Sequence, residues 1–351
     1  MSAPASEVPQ GWRPASFNQG WTYHDQVGPG EADQWLTVLL SSRYRHSSAA
    51  QWQHRLEQGE LLRNGIRLGG DVRMEPGDRI SWQRPPWREP AVPDQWQVIR
   101  DDGDVLVLNK PSGLPVMPGG GFLDHTLTAL LLQRSQERGE QEAPRPVHRL
   151  GRFTSGLQVC ARQPQTRARL SRAFRPEGGC HKLYQAWSLR VEGLDLGESQ
   201  VIANDVVERT HPLLGWVWGP EPARKEPLRR RLAARSDITV VERHPHGDLL
   251  QVAITTGRPH QIRIHLAQLG SPLLGDPLYR PDQSLDPQAT PGDGGYRLHA
   301  WRLQGLPGVD ASEGGELEAR PPDGFSAFRP CGTQSGERSK TGPDSGCDAP
   351  T

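Results

Sequence analysis

The chain has 351 residues, enough for one large domain or for a large domain preceded by a small one. Its 41 Lys and Arg balance its 41 Asp and Glu, which excludes a strongly basic protein that would bind polyanions through its overall charge. The sequence has no run of eighteen apolar residues and no apolar stretch behind a charged N-terminus, so we expect a cytoplasmic protein with no membrane partner.

The first thirty residues are rich in Pro, Gly and polar side chains and show no sustained period. We therefore predict that residues 1–30 form an extended N-terminal segment. Residues 31–90 have the pattern of a small compact domain. Trp35, Val38, Leu39 and Leu40 favour a first short helix.

A second helix is predicted after Ser47 or Ser48, either of which suits the N-cap position. It ends at Gly59, a residue type common just past a helix C-terminus. The sequence that follows predicts two strands around the Asn64-Gly65 turn, which is the strongest short signal for a hairpin.

Proline-rich residues 85–93 predict a stiff linker, after which residues 95–310 form the large domain. Many short apolar runs with few helical patterns between them predict an α+β domain around a mostly antiparallel sheet. Gly, Ser, Pro and charged residues dominate from residue 311 to 351, which predicts a disordered tail. The predicted strands cover residues 104–109, 157–161, 183–191, 238–241 and 249–254, and the predicted helices cover 127–132, 166–174 and 260–269.

The four cysteines are Cys160, Cys180, Cys331 and Cys347. None belongs to a Cys-x-x-Cys pair, and none stands at zinc-ligand spacing from a histidine. We therefore expect reduced thiols and no bound metal.

Four separated segments of the large domain carry candidate motifs. They are Asn109-Lys110-Pro111-Ser112-Gly113-Leu114, the run from His148 to Leu157, Lys182-Leu183-Tyr184-Gln185-Ala186, and the run from Gly257 to Leu266, which is continued by Leu274-Gly275-Asp276-Pro277-Leu278-Tyr279. In this order and spacing, the motifs resemble those of the RluA-type pseudouridine synthases. The resemblance implies a pseudouridine synthase fold, isomerisation of uridine in ribosomal or transfer RNA, and no cofactor; a monomer is the default expectation.

One residue departs from the family's pattern, because Gly151 stands where the family has an aspartate. The resemblance implies that this aspartate acts at the ribose as nucleophile or base, and glycine can do neither. We hold three hypotheses: a synthase that uses another carboxylate, with Asp276 and Asp124 as candidates; an inactive RNA-binding scaffold or RNA chaperone; and a structural protein that has lost both activities.

The resemblance also assigns roles to three residues that are present. Arg149 would fill the space left by a flipped nucleotide, Tyr184 would pack against the uracil ring, and Arg263 would pair with the missing aspartate. A buried guanidinium that loses such a partner costs about 3–5 kcal/mol. We therefore predict that another carboxylate, solvent or an RNA phosphate neutralises Arg263.

Two clusters of basic residues are candidate contacts for RNA phosphates, with an ordinary solvated surface as the alternative for both. From Arg149 to Arg190 there are nine Arg and Lys against the single acid Glu177. The two helices and hairpin of residues 31–90 resemble the α-L RNA-binding module. The candidates are Arg149, Arg152 and Lys182 in the large domain and Arg43, Arg45, Arg55, Arg63 and Arg67 in the small one.

Overall fold

The computed structural model describes residues 9–222, 226–309 and 316–325. Its elements from residue 12 to 93 are β1 (Trp12–Arg13), β2 (Ser16–Phe17), β3 (Trp21–Gln26), the 3-10 turn Pro29–Glu31, α1 (Leu36–Arg43), α2 (Ala49–Glu57), β4 (Leu61–Arg63), β5 (Ile66–Arg67), β6 (Arg79–Arg84), β7 (Arg88–Glu89) and β8 (Val92–Pro93).

From residue 97 onward the elements are β9 (Gln97–Asp101), β10 (Val105–Lys110), α3 (Leu127–Glu137), β11 (Arg145–Pro146), β12 (Ser155–Ala161), α4 (Pro164–Ala173), β13 (His181–Ser188), β14 (Ser199–Ile202), β15 (Val206–His211), β16 (Gly215–Gly219), β17 (Leu228–Leu232), β18 (Ser236–His244), β19 (Gly247–Ile254), α5 (Gln261–Gln268), β20 (Leu298–Gln304) and β21 (Glu316–Glu318).

The two helices and the hairpin predicted near the N-terminus are present. Strands β3, β6, β4 and β5 form a four-stranded sheet in that order, and side chains of α1 and α2 share a buried cluster with it. The Ser48 hydroxyl accepts the Gln51 N–H at 3.2 Å and the Gln51 side chain accepts the Ser48 N–H at 2.8 Å, which is the reciprocal N-cap of α2. Asn64 and Gly65 adopt φ of 52° and 84°, as the β4–β5 turn requires.

The extended segment predicted for residues 1–30 is not separate from this small sheet. β3 pairs with β6 along its whole length, from Trp21 opposite Arg84 to Gln26 opposite Arg79. The linker is paired as well, since β1 lies against β8 and β2 lies against β7. Residues 1–8 lie outside the described residues.

The large domain is built on a ten-stranded sheet in the order β14-β18-β19-β13-β20-β12-β10-β9, with β11 added to β12 and β21 added to β20. The pairs are antiparallel apart from β12 with β20, which run parallel. Leucines of α3, α4 and α5 reach separate buried clusters with side chains of these strands. The predicted fold class, α+β around a mostly antiparallel sheet, is confirmed.

Two features of the large domain were not predicted. β15, β16 and β17 form a second, three-stranded sheet, and Val206 of β15 shares a buried cluster with Ile264 of α5. Strand β21 lies in the region assigned to a disordered tail, so that assignment is wrong for residues 316–325. There, Leu317 is buried and the Ala319 carbonyl accepts a hydrogen bond from His299 Nε2 at 2.9 Å. Residues 311–315 and 326–351, with Cys331 and Cys347, lie outside the described residues.

Candidate active site

A cavity of about 410 Å³ lies where three of the four motif segments meet. Four of the residues singled out from the sequence line it: Arg149, Gly151, Tyr184 and Arg263. The chain folds so that the loop before β12, strand β13 and the start of α5 converge on one space. Sequence reasoning missed other lining residues, among them Thr154, Trp218, Arg258 and Tyr296.

The remaining motif, residues 109–114, anchors the loop that carries Gly151. The buried Lys110 ammonium donates to the carbonyl oxygens of Pro111 and Leu114, both at 2.9 Å, and of Arg152 at 3.1 Å. The Gly113 N–H also donates to the Arg152 carbonyl, at 2.9 Å. Burial, with a smaller contribution from Arg152, lowers the pKa of Lys110 to about 7, while its three carbonyl acceptors favour the charged form.

His148 fixes the other side of the same loop. Its imidazole stacks on Phe174 with the ring centres 4.1 Å apart, and its Nε2 accepts the Val159 N–H at 2.9 Å. Burial, and secondarily the charge of Lys182, lowers the pKa of His148 to about 3. The ring is therefore neutral at physiological pH, as an acceptor at Nε2 requires.

Gly151 lies against the hydroxyl group of Tyr296. A Cβ atom at position 151 would lie 2.7 Å from Tyr296 Oη and 3.2 Å from Thr154 Oγ1. The first distance is shorter than real Cβ contacts, so any other residue at position 151 requires Tyr296 to move. Glycine at position 151 and the Tyr296 hydroxyl thus fit together in the cavity.

Arg263 forms a bidentate ion pair with Asp276. Its Nε lies 2.7 Å from Oδ2 and its Nη2 lies 2.8 Å from Oδ1, and both side chains are buried. Burial opposes the charge of the guanidinium, but the hydrogen bonds and attraction of Asp276 outweigh it, and the pKa of Arg263 is raised. Of the partners predicted for Arg263, the structure shows the carboxylate.

Neither aspartate proposed as a replacement nucleophile lines the cavity. The Asp276 carboxylate is occupied by Arg263, and its Oδ1 also accepts the N–H groups of Leu278 and Tyr279 at 3.0 and 3.1 Å. Asp124 lies beside Glu89, which accepts its N–H at 3.1 Å. The structure therefore does not support either aspartate as the reacting group.

Tyr184 and His260 complete the polar lining. Tyr184 lies on β13 with its ring against two of the buried clusters, and burial raises its pKa. His260 caps α5 in the left-handed region, with φ 53°, and its Nδ1 lies 2.7 Å from the Tyr279 hydroxyl. Burial, followed by the charges of Arg263 and Arg149, lowers the pKa of His260 to about 3, so the cavity meets a neutral imidazole.

Comparisons with known proteins place the chain in a family. Residues 104–268 match the family model described as RNA pseudouridylate synthase. An uncharacterized RNA pseudouridine synthase of Synechocystis sp. is 40% identical over 267 residues, which cover 76% of this chain and 87% of that protein. The chain belongs to the RNA pseudouridine synthase family.

Two further relatives of this family differ in the names they carry. RNA pseudouridine synthase 5 of Oryza sativa subsp. japonica is 34% identical over 340 residues, covering 81% of this chain and 83% of that protein. Ribosomal large subunit pseudouridine synthase D of Xylella fastidiosa is 30% identical over 263 residues, covering 74% of this chain and 75% of that protein.

The predicted RNA contacts of this pseudouridine synthase homologue fall into two groups in the large domain. Arg149 is exposed at the cavity, and no hydrogen bond or ion pair is seen for it within the described residues. Lys182 is buried and donates to the Phe174 carbonyl at 3.3 Å. Arg152 Nε donates to the Gly113 carbonyl at 3.0 Å. Only the placement of Arg149 supports a contact with RNA.

The predicted RNA contacts of the small domain also include paired and exposed arginines. Arg43 is ion-paired with Asp25 and Glu31, and Arg63 with Asp78 and Glu75, so their charges are already compensated. Arg55 is held between the rings of Trp52 and Trp82, at 4.4 and 4.3 Å from their centres. Arg45 and Arg67 are exposed, and they remain the candidates that the structure leaves open to phosphate.

Two other kinds of feature are absent from residues 9–222, 226–309 and 316–325. No helix there is long and apolar enough to span a membrane. In the same ranges, no group of three or more His, Cys, Asp or Glu side chains is arranged to hold a metal ion.

Proposed function

We propose that this chain is an RNA pseudouridine synthase that isomerises uridine in structured RNA. The observation that carries the proposal is the convergence of Arg149, Tyr184 and Arg263 on one cavity from three separated motifs. The reaction breaks the bond between uracil N1 and ribose C1′, turns the base, and rebuilds the link through C5. The name of the Xylella fastidiosa relative favours ribosomal RNA as substrate, with transfer RNA as the alternative.

A uridine inside folded RNA must leave its stack to reach the cavity, at a cost of a few kcal/mol. Arg149 suits the task of replacing it, because a planar guanidinium can stack on the exposed bases and bind a phosphate. The Tyr184 ring packs against the uracil. Arg263 is neutralised by Asp276 and therefore holds no free charge to pair with the substrate.

The small domain, residues 31–90, supplies the second half of the proposed RNA surface. Its two helices and hairpin have the arrangement expected of an α-L module, and Arg45 and Arg67 are exposed on it. Residues 95–310 would form the catalytic domain. Cys160 is a buried thiol outside any disulfide among the described residues, which fits the expected cytoplasmic location, and we propose a monomer.

A second candidate function is an RNA-binding scaffold or RNA chaperone without catalysis. One observation favours it: among the described residues that line the cavity there is no aspartate or glutamate. Such a protein would bind structured RNA through the same arginines and leave the uridine unchanged.

A tritium-release assay distinguishes the synthase from the RNA-binding scaffold. Total RNA from a strain that lacks the gene, labelled at uridine C5, is incubated with the full-length protein, and a filter assay measures RNA binding in parallel. Release of tritium supports the synthase. RNA binding without release supports the scaffold, and neither binding nor release would leave only a structural role.

A further inference from the structure

The hydroxyl of Tyr296 opens on the candidate active site. The residue lies just before β20 and is 5% exposed, yet it lines the cavity. Among the described residues, none forms a hydrogen bond with its Oη. Because this oxygen faces the cavity, a ligand bound in the cavity can reach it.

The position of this hydroxyl is informative. It lies 2.7 Å from the point where a side chain at position 151 would begin, so it occupies the space of the family's aspartate. Gly151 has no side chain and leaves that space to the hydroxyl, and none of the described residues that line the cavity is an aspartate or glutamate that could compete for it.

Arginine side chains lie around Tyr296, and one of them, Arg263, is already paired with Asp276. The Arg263 guanidinium carbon lies 4.2 Å from the centre of the Tyr296 ring, and Arg149 and Arg258 line the same cavity. A guanidinium over one face of the ring holds the ring in place by a cation–π contact. Two other hydroxyl groups line the cavity, and both are poorer candidates for a nucleophile. Burial disfavours ionisation of Tyr184, and Thr154 is an aliphatic alcohol, which is less acidic than a phenol.

We propose that Tyr296 is the nucleophile at ribose C1′, in place of the family's aspartate; this inference rests on the proposed synthase function. Tyr296 Oη bonds to C1′ as the C1′–N1 bond breaks, and the phenolic proton passes to N1 of the departing uracil. The freed uracil then turns about and presents C5 to C1′. The C5–C1′ bond forms, the C1′–Oη bond breaks, and the proton of C5 passes to the phenolate. One hydroxyl thereby supplies the nucleophile and carries the proton, and the tyrosine is regenerated.

The scheme accounts for the pairing of Gly151 with Tyr296. A carboxylate at position 151 would occupy the same space as the phenol, so the site holds one oxygen nucleophile or the other. Glycine at 151 is then the complement of tyrosine at 296, and the loss of the aspartate does not by itself abolish the reaction.

The test uses the full-length protein and the tritium-release assay described above. We expect Tyr296→Phe to lower release by about 100-fold or more, the range seen when a group that acts directly in the chemistry is removed. RNA retention on filters and the melting temperature should stay at the wild-type values. Tyr44→Phe is the matched control, because it removes a tyrosine hydroxyl held by Asp25, in the small domain.

Rescue distinguishes a nucleophile from a packing residue. Gly151→Asp combined with Tyr296→Phe places a carboxylate where the hydroxyl was, and it should regain release well above the Tyr296→Phe background. Gly151→Ala combined with Tyr296→Phe fills similar space without a carboxylate and should stay inactive.

Several outcomes would overturn the assignment. They are a Tyr296→Phe variant that keeps a third or more of the wild-type rate, a loss of release that comes with a loss of folding or RNA binding, and a loss of release in Thr154→Val that Tyr296→Phe does not show. Absence of release by the wild-type protein would instead contradict the proposed function itself.

Discussion

Asp276 holds Arg263 in a buried, two-fold hydrogen-bonded ion pair beneath the cavity, with N–O distances of 2.7 and 2.8 Å. Asp276 comes from the segment after α5, so the pair is made without the loop that carries Gly151. The guanidinium also lies against the rings of Tyr279 and Tyr296, at 4.8 and 4.2 Å from their centres. The site therefore tolerates glycine at position 151 without leaving a buried charge uncompensated.

Asp276→Asn should destabilise the protein by about 3–5 kcal/mol, because it leaves the Arg263 guanidinium buried beside a neutral amide. Urea unfolding at neutral pH measures this free energy. Asp195→Asn is the control, since the Asp195 side chain is 93% exposed and its ion pair with Arg243, the one it forms among the described residues, has an N–O distance of 3.9 Å. A loss below about 1 kcal/mol for Asp276→Asn would show that the pair contributes no more than a surface salt bridge.

Gly151→Asp should destabilise the protein by about 1–3 kcal/mol, because the new Cβ would overlap the Tyr296 hydroxyl. Adding Tyr296→Phe removes the oxygen in the way, so the double variant should recover part of the loss. In a double-mutant cycle we expect a favourable coupling of about 1 kcal/mol or more.

The control for that cycle is Gly69→Asp, at a glycine whose Cβ would meet no atom within 4 Å. If Gly151→Asp and Tyr296→Phe prove additive in unfolding experiments, the two side chains do not compete for one space.

The sequence was sufficient to predict those features that depend on local patterns. The Ser48 cap, the Asn64-Gly65 turn and the helix around Arg263 follow from short-range rules, and the motifs brought Arg149 and Tyr184 to one site. Contacts between distant segments could not be predicted in this way.

Two examples show why. The sequence predicted Arg43 as an RNA contact, but β3 brings Asp25 beside it. The pairing of β3 with β6 that places Asp25 there cannot be read from the residues next to Arg43 in the sequence. Tyr296 lies 145 positions beyond Gly151 in a stretch without motif or period, so nothing local tied the two together. Strand β16 does have a local signal, because buried and partly exposed side chains alternate along Trp216-Val217-Trp218.

Acid should destabilise the protein below about pH 6.5 because the pKa of two partly buried histidines, His148 and His260, is lowered to about 3. In the unfolded chain their pKa returns to its ordinary value, so between pH 6.5 and 3 the unfolded state binds more protons than the folded state. Their contribution to stability is complete above that interval and is lost as the pH falls through it. In that interval each histidine should lower the free energy of unfolding by about 1.4 kcal/mol for each pH unit. The loss from each histidine amounts to about 2 kcal/mol at pH 5.

Urea unfolding at pH 7, 6 and 5 measures this slope. His148→Gln keeps an acceptor for the Val159 N–H and removes one titrating group, so its stability should fall by about 2 kcal/mol less than that of the wild type between pH 7 and 5. His24→Gln, at an exposed histidine of β3, is the control. Equal slopes for His148→Gln and wild type would mean that His148 takes up its proton in the folded protein as readily as in the unfolded chain.

Arg149→Ala should weaken RNA binding about tenfold at low salt and reduce the salt dependence of binding by about one phosphate contact. The reason is that Arg149 is exposed at the cavity with no acidic partner among the described residues, so its charge is available to the RNA. Filter binding of total RNA over a series of salt concentrations gives both quantities. Arg280→Ala is the matched control, because Arg280 is half exposed but paired with Asp286 at 2.9 Å, outside the cavity. An Arg149→Ala variant whose affinity and salt slope both match the wild type would remove RNA from the list of ligands for this cavity, and with it the reason to regard the site as catalytic.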